Sequence, residues 1–130
     1  MVRRLLLAAV LLALTAPAAS AASLAGTAWQ FKAAGGERVP AATQADLAFK
    51  KNGTVSGRHT CNNSFGGDYR ARGSRLRFDE LQSTLIGCEG PGARPDILGA
   101  LAKTRAYRRT GRRLVLLDGR GRRLARLRRR

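Results

Sequence analysis

Histidine is nearly missing from this chain: His59 is the only one in 130 residues. Metal sites built on histidine pairs are therefore excluded. Cysteine is almost as scarce. Cys61 and Cys88 are the whole complement, and they form no CxxC. Acidic residues number eight against 25 lysines and arginines. The one adjacent pair, Asp79-Glu80, falls in a strand-like run, where neighbours point to opposite faces. That placement suits pairing with Arg75 and Arg77 better than shared acid–base work. No glycine stretch resembles a phosphate-cradling loop that opens a helix. No apolar run reaches the roughly 20 residues of a spanning helix. No internal repeat or linker is visible.

What is present begins with an export signature. Arg3-Arg4 precede an apolar run from Leu5 to Ala16, broken only by Thr15 and ended by Pro17. Ala19-Ser20-Ala21 has the small-x-small pattern of a signal-peptidase site, so cleavage is expected after Ala21 or Ala22. The alternative is a membrane anchor, but this run is only about 12 residues, too short to span. No cysteine lies at the cleavage site to accept a lipid. The expected organisation is a signal peptide over residues 1–22 and one domain over 23–130. The expected destination is the periplasm or the medium.

A domain of about 108 residues can bury one modest core without a metal. In an exported chain, Cys61 and Cys88 are expected to pair. The bond would contribute about 3–4 kcal/mol in the chain-entropy model. The alternative is two buried free thiols.

The formal charge is +17, or +15 without Arg3 and Arg4, and arginines outnumber lysines 21 to 4. Residues 105–130 carry 12 arginines and one acid, Asp118. Such a field attracts anionic polymers or membrane surfaces. The surface expected to do so comprises Arg108, Arg109, Arg112, Arg113, Arg120, Arg122 and Arg123. The competing reading is a merely solvated arginine-rich β-surface, because no aromatics are interleaved. Export argues against specific nucleic acid.

Period-two alternation dominates the chain. Thr27 to Lys32 reads as a strand with Trp29 and Phe31 inward, and Ala33 to Gly36 ends it. Glu37 to Ala45 reads as a loop. Asp46 to Lys50 and Thr54 to Ser56 flank Asn52-Gly53, the signature of a type I′ hairpin turn. Gly57 to Ser64 reads as a structured loop shaped by Asn62 and Asn63. Gly66-Gly67 permits a bulge or a close backbone approach. A strand begins at Tyr69, Gly73-Ser74 turns it, and Leu76 and Phe78 face inward on the next. Leu81 and Leu85 continue the lining toward Cys88. After a loop over 89–95, Ile97, Leu98, Leu101 and Ala102 stripe one short helix, Pro95 to Thr104, with Asp96 near its start. The tail reads as a meander: Ala106 to Arg108, Arg113 to Leu117, and Arg122 to Leu127. Leu114 to Leu117 is apolar on both faces, so it is expected centrally and partly under the helix. Arg128 to Arg130 is expected to fray.

This layout resembles the META domain, or HslJ family, of bacterial envelope and heat-shock-associated proteins. The resemblance rests on Leu24 to Trp29, the Phe49 to Gly57 hairpin, Cys61-Asn62-Asn63 with Phe65-Gly66-Gly67-Asp68-Tyr69, Leu76-Arg77-Phe78, Ser83-Thr84 with Cys88, and the closing helix and strands. It covers about residues 24–127. Thr60 stands where the family often has glycine, and Leu85-Ile86 where a bulky or basic pair often follows Ser-Thr. The resemblance implies a mainly β fold: a small antiparallel β-barrel-like curled sheet with one short helix before a C-terminal β-meander. It also implies an association with envelope stress or antibiotic tolerance. The family-motif loop it marks comprises Gly57, Cys61, Asn62, Asn63, Phe65, Gly67, Tyr69, Ser83 and Thr84. It carries over no enzymatic activity, cofactor or metal.

Three functions follow for comparison. The first is a monomeric, non-enzymatic binding module whose partner is an envelope protein or an anionic envelope lipid or polymer. The second is a small apolar-ligand carrier with a cavity lined by residues such as Trp29, Phe49 and Leu116. The third is an enzyme built on His59 and Cys61, which share a strand face two residues apart. A disulfide at Cys61 would remove the third, leaving His59 a solvated loop residue.

Overall fold

The computed structural model describes residues 24–84 and 95–130. The expected signal segment, Leu85, Cys88 and the loop over 89–94 lie outside the described residues. The elements are β1 (Thr27–Ala34), β2 (Glu37–Arg38), β3 (Asp46–Phe49), β4 (Thr54–Arg58), β5 (Ser64–Arg72), β6 (Arg75–Ser83), α1 (Ile97–Lys103), β7 (Ala106–Thr110), β8 (Arg113–Leu117) and β9 (Arg123–Arg129). Each strand pairs antiparallel with its neighbours in the order β2-β1-β3-β4-β5-β6-β7-β8-β9. β1 also pairs with β9, placing Phe31 opposite Leu127 and Trp29 opposite Arg129. Eight strands therefore close into an antiparallel barrel, and β2 is a short extra strand on β1. The barrel-like β fold with one helix among the described residues is as the sequence implies.

Eight strands leave an interior that side chains can fill. Trp29, Phe31, Leu47, Phe49, Leu76, Leu114, Leu116 and Leu127 are essentially sealed from solvent. Phe49 meets Tyr69 edge-on at 5.0 Å and Phe78 at 6.0 Å between ring centres. The Trp29 indole N–H donates to Thr27 Oγ1 at 2.7 Å, and that hydroxyl donates to the Leu24 carbonyl at 2.5 Å. Burial of the polar edge of the largest ring is thus compensated. The β6–β7 seam is narrow, with Arg75 opposite Ala106 and flanking bonds from Leu76 N to Arg105 O and Tyr107 N to Ser74 O. α1 touches β6, β8 and β9 and adds Ile97, Ala100 and Leu101 to the same core. Asp96 caps it by accepting from Gly99 N at 2.8 Å.

Several local expectations change. β1 runs on to Ala34 because a register shift between Phe31 and Ala33 re-phases its inward face, so that Ala34 is buried after Phe31. Gly35 and Gly36, both at positive φ, then turn into β2, which the sequence reads as loop. These glycines meet the two positive-φ demands of a type I′ turn. Asn52-Gly53 does not. Only Gly53 has positive φ, Gly53 N donates to Lys50 O at 3.2 Å, and Asn52 Oδ1 accepts from Thr54 N at 3.0 Å. The hairpin forms through a three-residue loop with a glycine bulge, the next commonest solution. β4 and β5 take only residues 57, 58 and 64 of the expected loop over 57–64, so residues 59–63 remain a loop, built on a 3₁₀ turn at Thr60–Asn62. The C-terminus does not fray: β9 reaches Arg129, Arg130 N donates to Ala28 O at 3.0 Å, and its guanidinium meets Asp46 at 2.7 Å. Barrel closure supplies the partners that the tail lacks as an isolated sequence.

Gly57 is required by packing. A Cβ there would stand 2.7 Å from the Phe65 ring and press on the Asp46 carbonyl. Gly35 faces open space, and only its positive φ resists a side chain. Gly57→Ala is expected to lower stability by about 2–3 kcal/mol through overpacking, and Gly35→Ala by about 1 kcal/mol. Urea melts of the two variants check this; equal losses would contradict it.

Candidate functional site

Most of the family-motif residues gather where the end of β4 and the start of β5 meet the end of β6, while Tyr69 lies farther along β5, beside the β3–β4 turn. Cys61 and Asn62 both adopt left-handed φ, 59° and 58°, which costs about 1 kcal/mol or more each for non-glycine residues. A dense set of bonds holds them. His59 N donates to Asn63 O at 2.9 Å, and Asn63 Nδ2 donates to Thr60 O at 3.2 Å. Thr84 Oγ1 donates to Asn63 Oδ1 at 3.0 Å and accepts from Ser64 N at 3.0 Å. Asn63 is thus the loop-shaping residue the sequence suggests. Phe65 is buried beside His59. Tyr69 donates its hydroxyl to Lys50 O at 2.9 Å, and burial raises its pKa. Gly67 lies under a bulge in β6, where Glu80 takes φ 54° and a Cβ on Gly67 would sit 2.9 Å from Asp79 O. The glycine pair therefore accommodates a bulge on the facing strand.

His59 is buried and not solvated as the sequence suggests. Its Nε2 lies 2.6 Å from Ser83 Oγ, and Ser83 Oγ donates to Thr84 O at 2.7 Å. With that proton committed, Nε2–H donates to Ser83, which leaves Nδ1 to accept from Thr60 Oγ1 at 3.4 Å. Burial lowers the pKa of the imidazole more than the charge of Asp96 raises it, which favours the neutral ring at pH 7. The separation is that of a nucleophile–base pair, but the serine proton points away from the base. Cys61 is no alternative nucleophile, since no free thiol occurs among the described residues. Among them, too, no three His, Cys, Asp or Glu side chains gather as a metal site would. No buried side-chain polar atom among them lacks a partner. The motif is a self-satisfied structural knot. The Ser83 partnership escaped the sequence because it depends on β5–β6 register, which the β6 bulge shifts.

The arginines expected to form one surface divide. Arg108, on β7, and Arg112 and Arg113, at the β7–β8 turn, are exposed, as are Arg120, Arg122 and Arg123 at the β8–β9 turn. Arg122 pairs with Asp118 at 3.1 Å, and backbone bonds from Arg122 and Arg120 hold that carboxyl below its usual range. Arg109 leans inward, 5.3 Å from the Trp29 ring centre. The fold holds two basic tracts, and barrel closure builds the first. In one, Lys32, Arg38, Arg113, Arg126 and Arg128 line an open groove of about 730 Å³ with Val39, Pro40, Ala41 and Leu127. Arg113 and Arg128 stand directly opposite each other across β8 and β9. The other tract holds Arg70, Arg72, Arg75, Arg77 and Arg105, but includes Asp118. There, too, Arg70 faces Arg77 and Arg72 faces Arg75. Opposed like charges destabilise a sheet, on the scale of about 0.2–1 kcal/mol per pair. Asp79 pairs with Arg77 at 3.0 Å, as expected, but the pair is exposed and contributes little. Arg126 and Arg128 share a face by simple alternation, a signal the sequence offered. Lys32 and Arg38 join them only through β1–β9 pairing.

Because the folded pKa of His59 lies below 6.5, stability is full above that value and declines as pH falls from it toward the folded pKa. His59→Gln is expected to flatten that part of the pH profile in urea melts; an unchanged profile would contradict it. Ser83→Ala leaves a buried imidazole N–H without its partner and is expected to cost about 1–3 kcal/mol.

The chain matches the model of the META domain over residues 22–130. Its fold is similar to an NMR structure of a protein from Burkholderia xenovorans, with TM-score 0.66 and 24% identity over 84% of this chain and 85% of that one. It is also similar to a crystal structure of a DUF4847 family protein from Bacteroides vulgatus, with TM-score 0.58 and 15% identity over 81% of this chain and 93% of that one. A further NMR structure aligns with TM-score 0.62 and 19% identity over 81% and 91% of the two chains. No curated protein matches the chain significantly in sequence. With the family model spanning residues 22–130, this chain belongs to the META domain family.

Proposed function

We propose that this META domain is an exported, monomeric, non-enzymatic binding module of the cell envelope that engages anionic polymer or lipid through its outer arginine surface. The carrying observation is the set of arginines facing one another across neighbouring strands: Arg113 with Arg128, Arg70 with Arg77, and Arg72 with Arg75. A sheet under fold selection alone avoids such pairs. An anion drawn between them offsets the repulsion. The motif corner supports a structural role, since its polar groups satisfy one another. The carrier reading has little support, because Trp29, Phe49 and Leu116 belong to one continuous packed core. Among the described residues no helix is long and apolar enough to cross a membrane.

Export and a bond between Cys61 and Cys88 belong to this proposal. Leu5 to Ala22 supports the first. The second is supported by the absence of a free thiol at Cys61, and the bond would hold the left-handed turn closed. Two measurements test the proposal. Intact mass after alkylation without reductant is expected to show no modified thiol; two modified thiols would remove the disulfide. Binding to vesicles rich in phosphatidylglycerol, or to an immobilised polyanion, is expected to fall by orders of magnitude between about 50 and 200 mM salt. No binding to either at low salt would end the reading.

A further inference from the structure

We propose that the groove lined by Lys32, Arg38, Arg113, Arg126 and Arg128 is a site for an extended phosphate-bearing polymer, one chain lying along β9. This deepens the anion-binding reading and rests on it. The five cations converge from three parts of the chain, which only barrel closure brings together. None of the ion pairs observed among the described residues involves any of them. Glu37, beside Arg38 on β2, does not line the groove, while Asp46 pairs with Arg130, and Asp118, in the other basic tract, with Arg122. The second tract thus carries its own counter-charge, and the groove lining contains no acid at all.

The shape selects a chain. The groove is concave, and its exposed apolar residues are only Pro40 and Ala41, with no aromatic to enter a bilayer. Arg126 and Arg128 repeat every second residue, about 6.7 Å apart along the strand. Arg113 faces Arg128 at cross-strand spacing, about 4.5–5.5 Å between Cα atoms. Successive phosphates of a linear polymer meet successive guanidiniums in such a row. The chemistry selects phosphate. Four of the five cations are arginines, whose planar forks bind oxyanions in pairs of hydrogen bonds. A tetrahedral phosphate between Arg113 and Arg128 accepts from two forks lying in different planes, which a planar carboxylate does less well.

The experiment compares the full chain with two variants of equal charge, Arg113→Gln/Arg126→Gln/Arg128→Gln in the groove and Arg70→Gln/Arg72→Gln/Arg75→Gln in the other tract. All six positions are exposed, and thermal melts confirm that each variant folds. The probe is long-chain inorganic polyphosphate. The groove variant is expected to lose roughly tenfold or more in affinity at about 150 mM salt, with a log–log salt slope shallower by about 2, three contacts having gone. The second variant is expected to change only slightly. Equal losses in both variants would overturn the groove while leaving the anion-binding surface standing. No binding by the unaltered chain would overturn both. Poly-glutamate of matched charge binding as tightly would overturn the choice of phosphate. Phosphatidylglycerol vesicles binding more tightly, with the same dependence on the three arginines, would overturn the chain in favour of a membrane.

Discussion

The pairing of β1 with β9 is the constraint on which the rest depends. It joins the two ends of the domain, seating Phe31 against Leu127 and Trp29 beside Arg129. Without it the sheet would have two long open edges, with unpaired backbone groups along both. With it, Trp29, Phe31, Leu114, Leu116 and Leu127 share one sealed interior, and the core gains its largest rings. The pairing is remote in sequence, so its loop-closure cost must be met before the contacts form. The bulges that adjust register are consequences of closure. Lys32 and Leu124 are the extra residues that let alternating strands curl without turning their apolar faces outward.

A second corner stabilises the other half of the barrel. Asn63, Ser64, Ser83 and Thr84 bond one another across β5 and β6, and His59 lies neutral between Thr60 and Ser83. Among the described residues, the only histidine and a strained Cys-Asn turn are held there in internal bonds.

Much of this could be read locally. Alternation placed Trp29, Phe31, Leu47, Phe49, Leu76 and Phe78 inward, the glycine pair marked a close backbone approach opposite a bulge in β6, and the helix lay within two residues of its expected ends. What local reading missed depends on distant partners. The turn at Asn52-Gly53 is decided by the Asn52 side chain bonding Thr54, not by dipeptide preference. β2 contains only Glu37 and Arg38 and exists because β1 offers an edge. The C-terminal arginines are ordered by Ala28 and Asp46, far upstream. The burial of His59 follows from a register shift that no period in β6 reveals. The groove combines an alternation visible in Arg126 and Arg128 with neighbours, Lys32 and Arg38, that the closure alone supplies.

Closure also explains why the charge is tolerated. Arginines on the outer face of a closed barrel keep their heads in water while inward neighbours hold the strands. The charge therefore weakens the surface without opening the core. The direct measurement is native-state hydrogen exchange across the barrel. If β1–β9 pairing is integral to the fold, amides of residues 123–129 will exchange only through global unfolding, with the same opening free energy as those of β3, β4 and β5. Exchange of β9 through a separate, lower-energy opening, with β3 to β5 still protected, would show that the barrel stands without its closing strand.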